Sequence, residues 1–224
     1  MRVYQFRHSG KCGLFLLWGR KYNAFHTPAG DPFKVHRASY LGGMSDGPHL
    51  GFKSMHDGRA VDLLAHVGGV LAAHRDVEVM VGSDSHNYAN HTVYTTTVVM
   101  RFFRNGAQVV YRREKAPKVV DLWTRLWGEV ERSLVVAQIL RTQGSIDVCR
   151  IDMDLNSDAR FGSHKLHTAA VGYVRSHGYE PHTKPDMLIA TWAANLLCNG
   201  MGRKHEAPIR RMADRGDVTL QIDL

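Results

Sequence analysis

VEVMVGSDSHNYANHTVYTTTVVMRFFRNGAQVVYR, residues 77–112, decides the architecture. Its first six residues form a short β-branched run, and 92–103 form a longer one rich in Thr, Val, Tyr and Phe, residues that suit a pleated surface. Asn105-Gly106 follows at once and strand character resumes over 108–112, the pattern of a tight hairpin whose turn needs positive φ. Three strands in antiparallel succession are therefore predicted.

Downstream, Val119, Leu122, Trp123, Leu126, Trp127, Val130, Leu134, Ala137 and Leu140 form one apolar stripe at helical spacing. This predicts a helix over 118–141 ended by Gly144, with both tryptophans in the core. Residues 146–155 alternate as a strand, with Cys149, Ile151, Met153 and Leu155 on one face and Arg150, Asp152 and Asp154 on the other. A helix over 163–177 closed by Gly178, a strand over 179–184 and a helix over 185–199 complete the pattern. Upstream, Val61, Leu64, Ala65, Val67, Gly68 and Leu71 predict a helix from about residue 58. The order βββαβαβα specifies an α/β domain over 51–200. Its mixed five-stranded sheet is flanked by helices, with the first strand central and beside the fourth, given right-handed crossovers. Residues 1–50 show no sustained period and form an unassigned N-terminal extension. Residues 201–224 form a basic C-terminal tail containing Arg203, Lys204, Arg210 and Arg211, strand-like at 218–222.

At 224 residues and 44% hydrophobic, the chain can bury one sizeable core. Its three cysteines, Cys12, Cys149 and Cys198, are odd in number and form no CxxC pair, so reduced thiols are expected rather than a disulfide framework or zinc site. The apolar run 14–18 falls far short of the roughly 20 residues of a membrane span. A soluble, cytoplasmic protein without a membrane partner is expected. A formal charge of +8 and a pI near 9.6 suit a polyanionic partner, although net charge also serves solubility alone.

The predicted topology puts Asp84 at the end of the first strand and Asp154 at the end of its parallel neighbour, where open α/β sheets place ligands. Glu129 and Glu131 lie about 200° apart around the long helix, so only one can face the strand ends, and periodicity does not decide which. Asp186, after Lys184-Pro185, is expected to start the last helix at the same corner. Taken singly, each acid has an ordinary alternative: a turn residue at Asp84, an N-cap at Asp186, solvated or arginine-paired charges elsewhere. Together they would repel one another unless a divalent cation resolved the conflict. An all-oxygen set favours magnesium or manganese, and two such ions roughly 3.5 to 4 Å apart can drive phosphodiester hydrolysis by an activated water with inversion at phosphorus.

VGSDSH at 81–86, LWGEVERSL at 126–134, IDMDLNSDARFGSHKL at 151–166, VGYVRSHGYE at 171–180 and KPDMLIATWAANLLC at 184–198 together resemble the YkuK family of ribonuclease H-like proteins, across roughly residues 52–200. The resemblance implies a ribonuclease H-like fold. It also implies that Asp84, Glu129 rather than Glu131, Asp154 and Asp186 are the catalytic, metal-holding acids. His86 stands where the family often has glutamine, and Asn195 where an aspartate is common. If that aspartate completes the site, this chain lacks its fourth ligand. Ser85, His86, Asn156, Lys165 and Lys184 form the expected substrate-binding set, with Lys165 and Lys184 placed to hold a phosphate. The expectation is a magnesium- or manganese-dependent nuclease acting on RNA, DNA or a hybrid. The rival is a non-catalytic nucleic-acid-binding module with a degenerate site.

Overall fold

The computed structural model describes residues 51–103 and 106–199. The expectations for 1–50, for the turn residue Asn105 and for 201–224 fall outside these residues. The described elements are β1 (Phe52–Ser54), β2 (Ala60–Val61), α1 (Leu63–Ala73), β3 (Val77–Asn87), β4 (His91–Phe102), β5 (Ala107–Pro117), α2 (Leu122–Gly144), β6 (Arg150–Asn156), α3 (His164–Ser176), β7 (Pro181–Lys184) and α4 (Ile189–Cys198).

They build one mixed sheet in the order β2-β1-β5-β4-β3-β6-β7. β3, β4 and β5 form the antiparallel meander, with Val77 opposite Phe102 and Asp84 opposite Thr95. β6 runs parallel to β3, Gly82 facing Asp152, and β7 runs parallel to β6. The five expected strands are present, with the first central and beside the fourth. The sheet nevertheless has seven strands rather than five. β1 and β2, three and two residues long, are too short to show a period, and β1 extends the β5 edge by pairing Lys53 with Tyr111. Val61 belongs to β2, and α1 begins only after Asp62, whose Oδ1 accepts from the Ala65 N–H at 2.8 Å.

Alternate residues of β3 enter two different layers, the consequence of a period of two in a doubly covered strand. Val79 and Val81 join α1, α2 and α3 in the larger core, whereas Met80 packs with Val99 and Ala190 beneath α4. Gly82 permits this second packing. A Cβ there would lie 2.8 Å from the Thr191 backbone nitrogen.

α2 begins at Leu122, four residues later than expected, because residues 118–121 are claimed by the β3–β4 hairpin: Val119 N–H donates to Thr92 Oγ1 and Val119 C=O accepts from Asn87 Nδ2, both at 2.9 Å. Asp121 then caps the helix through the Thr124 N–H. At the other end Ser145, with φ 51°, takes the left-handed position expected of Gly144. Gly144 stays helical, and a Cβ on it would meet Ile146 Cδ1 at 2.9 Å. The last helix starts at Ile189 rather than 185, because 183–186 closes a turn through Asp186 N–H to Thr183 C=O. Among the cysteines, Cys198 is a buried free thiol, as expected. No helix among the described residues is long and apolar enough to cross a membrane.

Candidate active site at the strand ends

The end of β3 distributes its side chains to both layers. Ser83 and Ser85 face α2: Ser133 Oγ donates to Ser83 Oγ at 3.0 Å, and Ser85 Oγ donates to Glu129 Oε1 at 2.5 Å. Arg125, one turn before Glu129, donates from Nη1 to Ser85 C=O at 2.9 Å and to Ser85 Oγ at 2.7 Å, and lies 3.8 Å from Glu129 Oε1. Asp84 faces α4, where its Oδ2 accepts from Asn195 Nδ2 at 2.9 Å. Asp154 comes from the parallel neighbour β6, and its Oδ1 lies 2.6 Å from Lys184 Nζ at the end of β7. Glu129 and Asp154 line one narrow cleft with Ser83, Leu126, Ser133 and Asp152.

Electrostatics tie the three acids together. Burial lifts the Glu129 carboxyl well above the usual carboxylate range, the Asp84 and Asp154 charges add to that lift, and Ser85 and Arg125 oppose it. Burial also raises Asp84, with Asp154 adding and the Asn195 amide, the Ser85 N–H and Arg125 opposing. Glu131 is as buried as Glu129 but belongs to the other flank of the helix.

Asp186 is not brought into this group. It precedes α4, its Oδ2 sits 3.2 Å from His182 Nδ1, and the carboxylate it influences is Asp152. Of the expected substrate-binding residues, Ser85 and Lys184 stand at the corner. His86 is exposed, edge-on to Tyr88 at 4.9 Å, and Asn156 Oδ1 accepts from the Asp158 N–H to shape its own loop. Lys165 Nζ lies 6.0 Å from the centroid of the Trp123 ring, and that ring is 44% exposed rather than in the core. Two residues were not read as site components from the sequence. Arg125 could have been found from its i, i+4 spacing to Glu129. Asp152, weighed as a surface partner of Arg150, is buried: its Oδ2 accepts from the Ala190 N–H at 2.8 Å and Arg150 Nε stands 3.0 Å from its Oδ1.

The profile of a known family, described as ribonuclease H-like, matches residues 69–198, the span that carries these acids. The chain belongs to the ribonuclease H-like family. No curated protein and no solved structure matches it. The ribonuclease H-like span runs from within α1 to the last residue of α4, so it includes the three clustered acids, Asp186 and Asn195. Membership points to a nucleic-acid-related function.

Whether this ribonuclease H-like corner suits a divalent cation turns on its donors. Asp84, Glu129 and Asp154 offer only oxygen, and the burial that lifts two of them, with mutual repulsion adding to it, is the conflict a cation relieves, so the donor chemistry fits magnesium or manganese. The side chains do not stand ready around an ion: among the described residues no group of three or more acids, histidines or cysteines is disposed to hold one. Asn195 engages Asp84 and Lys184 engages Asp154 in its place.

Proposed function

We propose that this ribonuclease H-like chain, which the resemblance refines to the YkuK family, is a metal-dependent nuclease that hydrolyses phosphodiester bonds of a nucleic acid. Asp84, Glu129 and Asp154 hold magnesium or manganese. The observation that carries the reading is that Glu129 and Asp154 line one cleft at the strand ends, while the charge of Asp84, on the adjoining strand, acts on both. When bound, such ions supply an activated water and stabilise the leaving oxygen.

The chain's own residues prepare the corner. Arg125 holds Ser85, Ser85 orients Glu129, and the buried helix face keeps water from Glu129. Lys184 balances Asp154 and is the cation available there for a phosphate. Asp186 takes no part, because its partners are His182 and Asp152.

A second reading has its own support. Asn195 occupies the place beside Asp84 where a fourth acid would stand, which favours a nucleic-acid-binding module with a weakened metal site. Thermal melting with magnesium or manganese separates the two, since a ligand that binds only the folded state raises Tm. The nuclease reading expects a concentration-dependent rise of several degrees in wild type, absent from Asp84→Asn. An identical Tm with and without metal favours the binding module.

A further inference from the structure

Trp123 belongs to the apolar stripe of α2, and of the two tryptophans in it Trp127 packs against the core and the Tyr173 ring at 5.0 Å. Trp123 stays 44% exposed beside Leu122 at 39% and Val120 at 81%. Phe161, 50% exposed, comes from the loop between β6 and α3. At its neighbour Gly162 a Cβ would lie 3.2 Å from Leu122 Cδ2, so that loop abuts the start of α2. Phe161 is held out deliberately: its N–H donates to Asp158 C=O at 3.1 Å and its C=O accepts from the His164 N–H at 3.0 Å. Exposed aromatics thus stand on two braced elements.

These are the elements that wall the candidate cleft. Leu126, one turn beyond Leu122, and Leu155, at the end of β6, both line it. Charge around the shelf favours an anion. Lys165 stands over the Trp123 ring, Lys118 is exposed nearby with Nζ on Ala89 C=O, and Arg125 leads from the shelf to Ser85. The acids at the shelf are already occupied, Asp121 as the α2 cap and Asp158 by Arg160.

We propose that Trp123 and Phe161 form a stacking shelf for unpaired bases, making single-stranded or locally opened nucleic acid the substrate class of the adjacent cleft. Base faces stack on such rings whatever their sequence, and flanking cations track the backbone. Inside a paired duplex each base face is already covered by its stacked neighbours, so only the terminal pairs offer one. A second copy of the chain is disfavoured as the occupant, because four apolar side chains fall well short of the roughly 20 to 30 residues a side of a stable protein interface. The substrate assignment rests on the nuclease reading, whereas binding at the shelf does not.

The test is fluorescence anisotropy of labelled 12-nucleotide oligo-dT and oligo-U, and of a blunt 12-base-pair duplex, on the full chain in EDTA. Trp123→Ala and Phe161→Ala should each weaken single-strand binding about five- to 100-fold and leave duplex binding within about twofold, with Trp123→Phe retaining most of the affinity. Circular dichroism and Tm confirm that the variants fold. Unchanged single-strand binding in the double variant overturns the shelf, as does no binding by wild type. The same holds if the variants lose only self-association in sedimentation. If the variants lose binding but wild type cleaves nothing with metal, the shelf stands and the nuclease reading falls. If wild type cleaves and the variants bind normally, the reverse holds.

Discussion

Asp84 and Asn195 meet at 2.9 Å where β3 and α4 approach, and this single pair bears most on what the site can hold. Replacing the amide by a carboxylate sets a like charge against Asp84. Asn195→Asp should therefore lower the metal-free Tm and enlarge the manganese-induced rise, read by paired melting curves; an unchanged rise would show that position 195 faces no ion. Glu129 gives a pH prediction. Its carboxyl is raised in the folded state, so between its ordinary value of 4.5 and its lifted one the folded chain binds more protons than the unfolded chain, and stability falls as pH rises through that window. Glu129→Gln removes the titrating carboxyl while keeping an acceptor for Ser85. It should flatten the dependence of the metal-free Tm on pH above 4.5, read by melting curves across that range. At this scale sequence reading goes only part of the way. Both Glu129 and Glu131 are buried, so periodicity could not choose between them. Asp186 looked like a helix start only because the turn at 183–186 is invisible to a pattern of apolar residues.

Among the elements, α4 is the one whose placement the site depends on. It carries Asn195 and lies on β3 through Gly82, and its first turn, which lacks a side-chain cap of its own, is held by buried Asp152. Gly82→Ala forces a methyl against backbone and should cost about 1 to 3 kcal/mol in urea unfolding. Asp152→Ala leaves the Ala190 N–H without its acceptor and the Arg150 guanidinium without its ion-pair partner. It should cost about 3 kcal/mol in the same measurement, and an effect under about 0.5 kcal/mol would show that α4 is held otherwise. The long elements were legible because their apolar and β-branched residues run on over ten or more positions. β1 and β2 were not, since a strand of two or three residues exists by virtue of the β5 edge it joins. The start of α2 moved for the same reason: Thr92 and Asn87 on a distant hairpin claim Val119, a tertiary bond no local pattern contains.

For the whole molecule, the sheet brings the end of β3, the end of β6 and the middle of α2 to one cleft, and its position was inferable from the strand order alone. Its chemistry was less so: Lys184 was expected there, whereas Arg125, four residues before Glu129, was not read as part of it. With a net charge of +8, nucleic-acid binding by the full chain should weaken about tenfold or more between about 50 and 200 mM salt, as counterion release requires. The decisive measurement is cleavage of labelled single-stranded RNA, single-stranded DNA, RNA/DNA hybrid and branched DNA with magnesium or manganese, wild type beside Asp84→Asn. The account predicts cuts by wild type alone, abolished by EDTA. Equal cleavage by both proteins, or binding without cleavage by either, would contradict it.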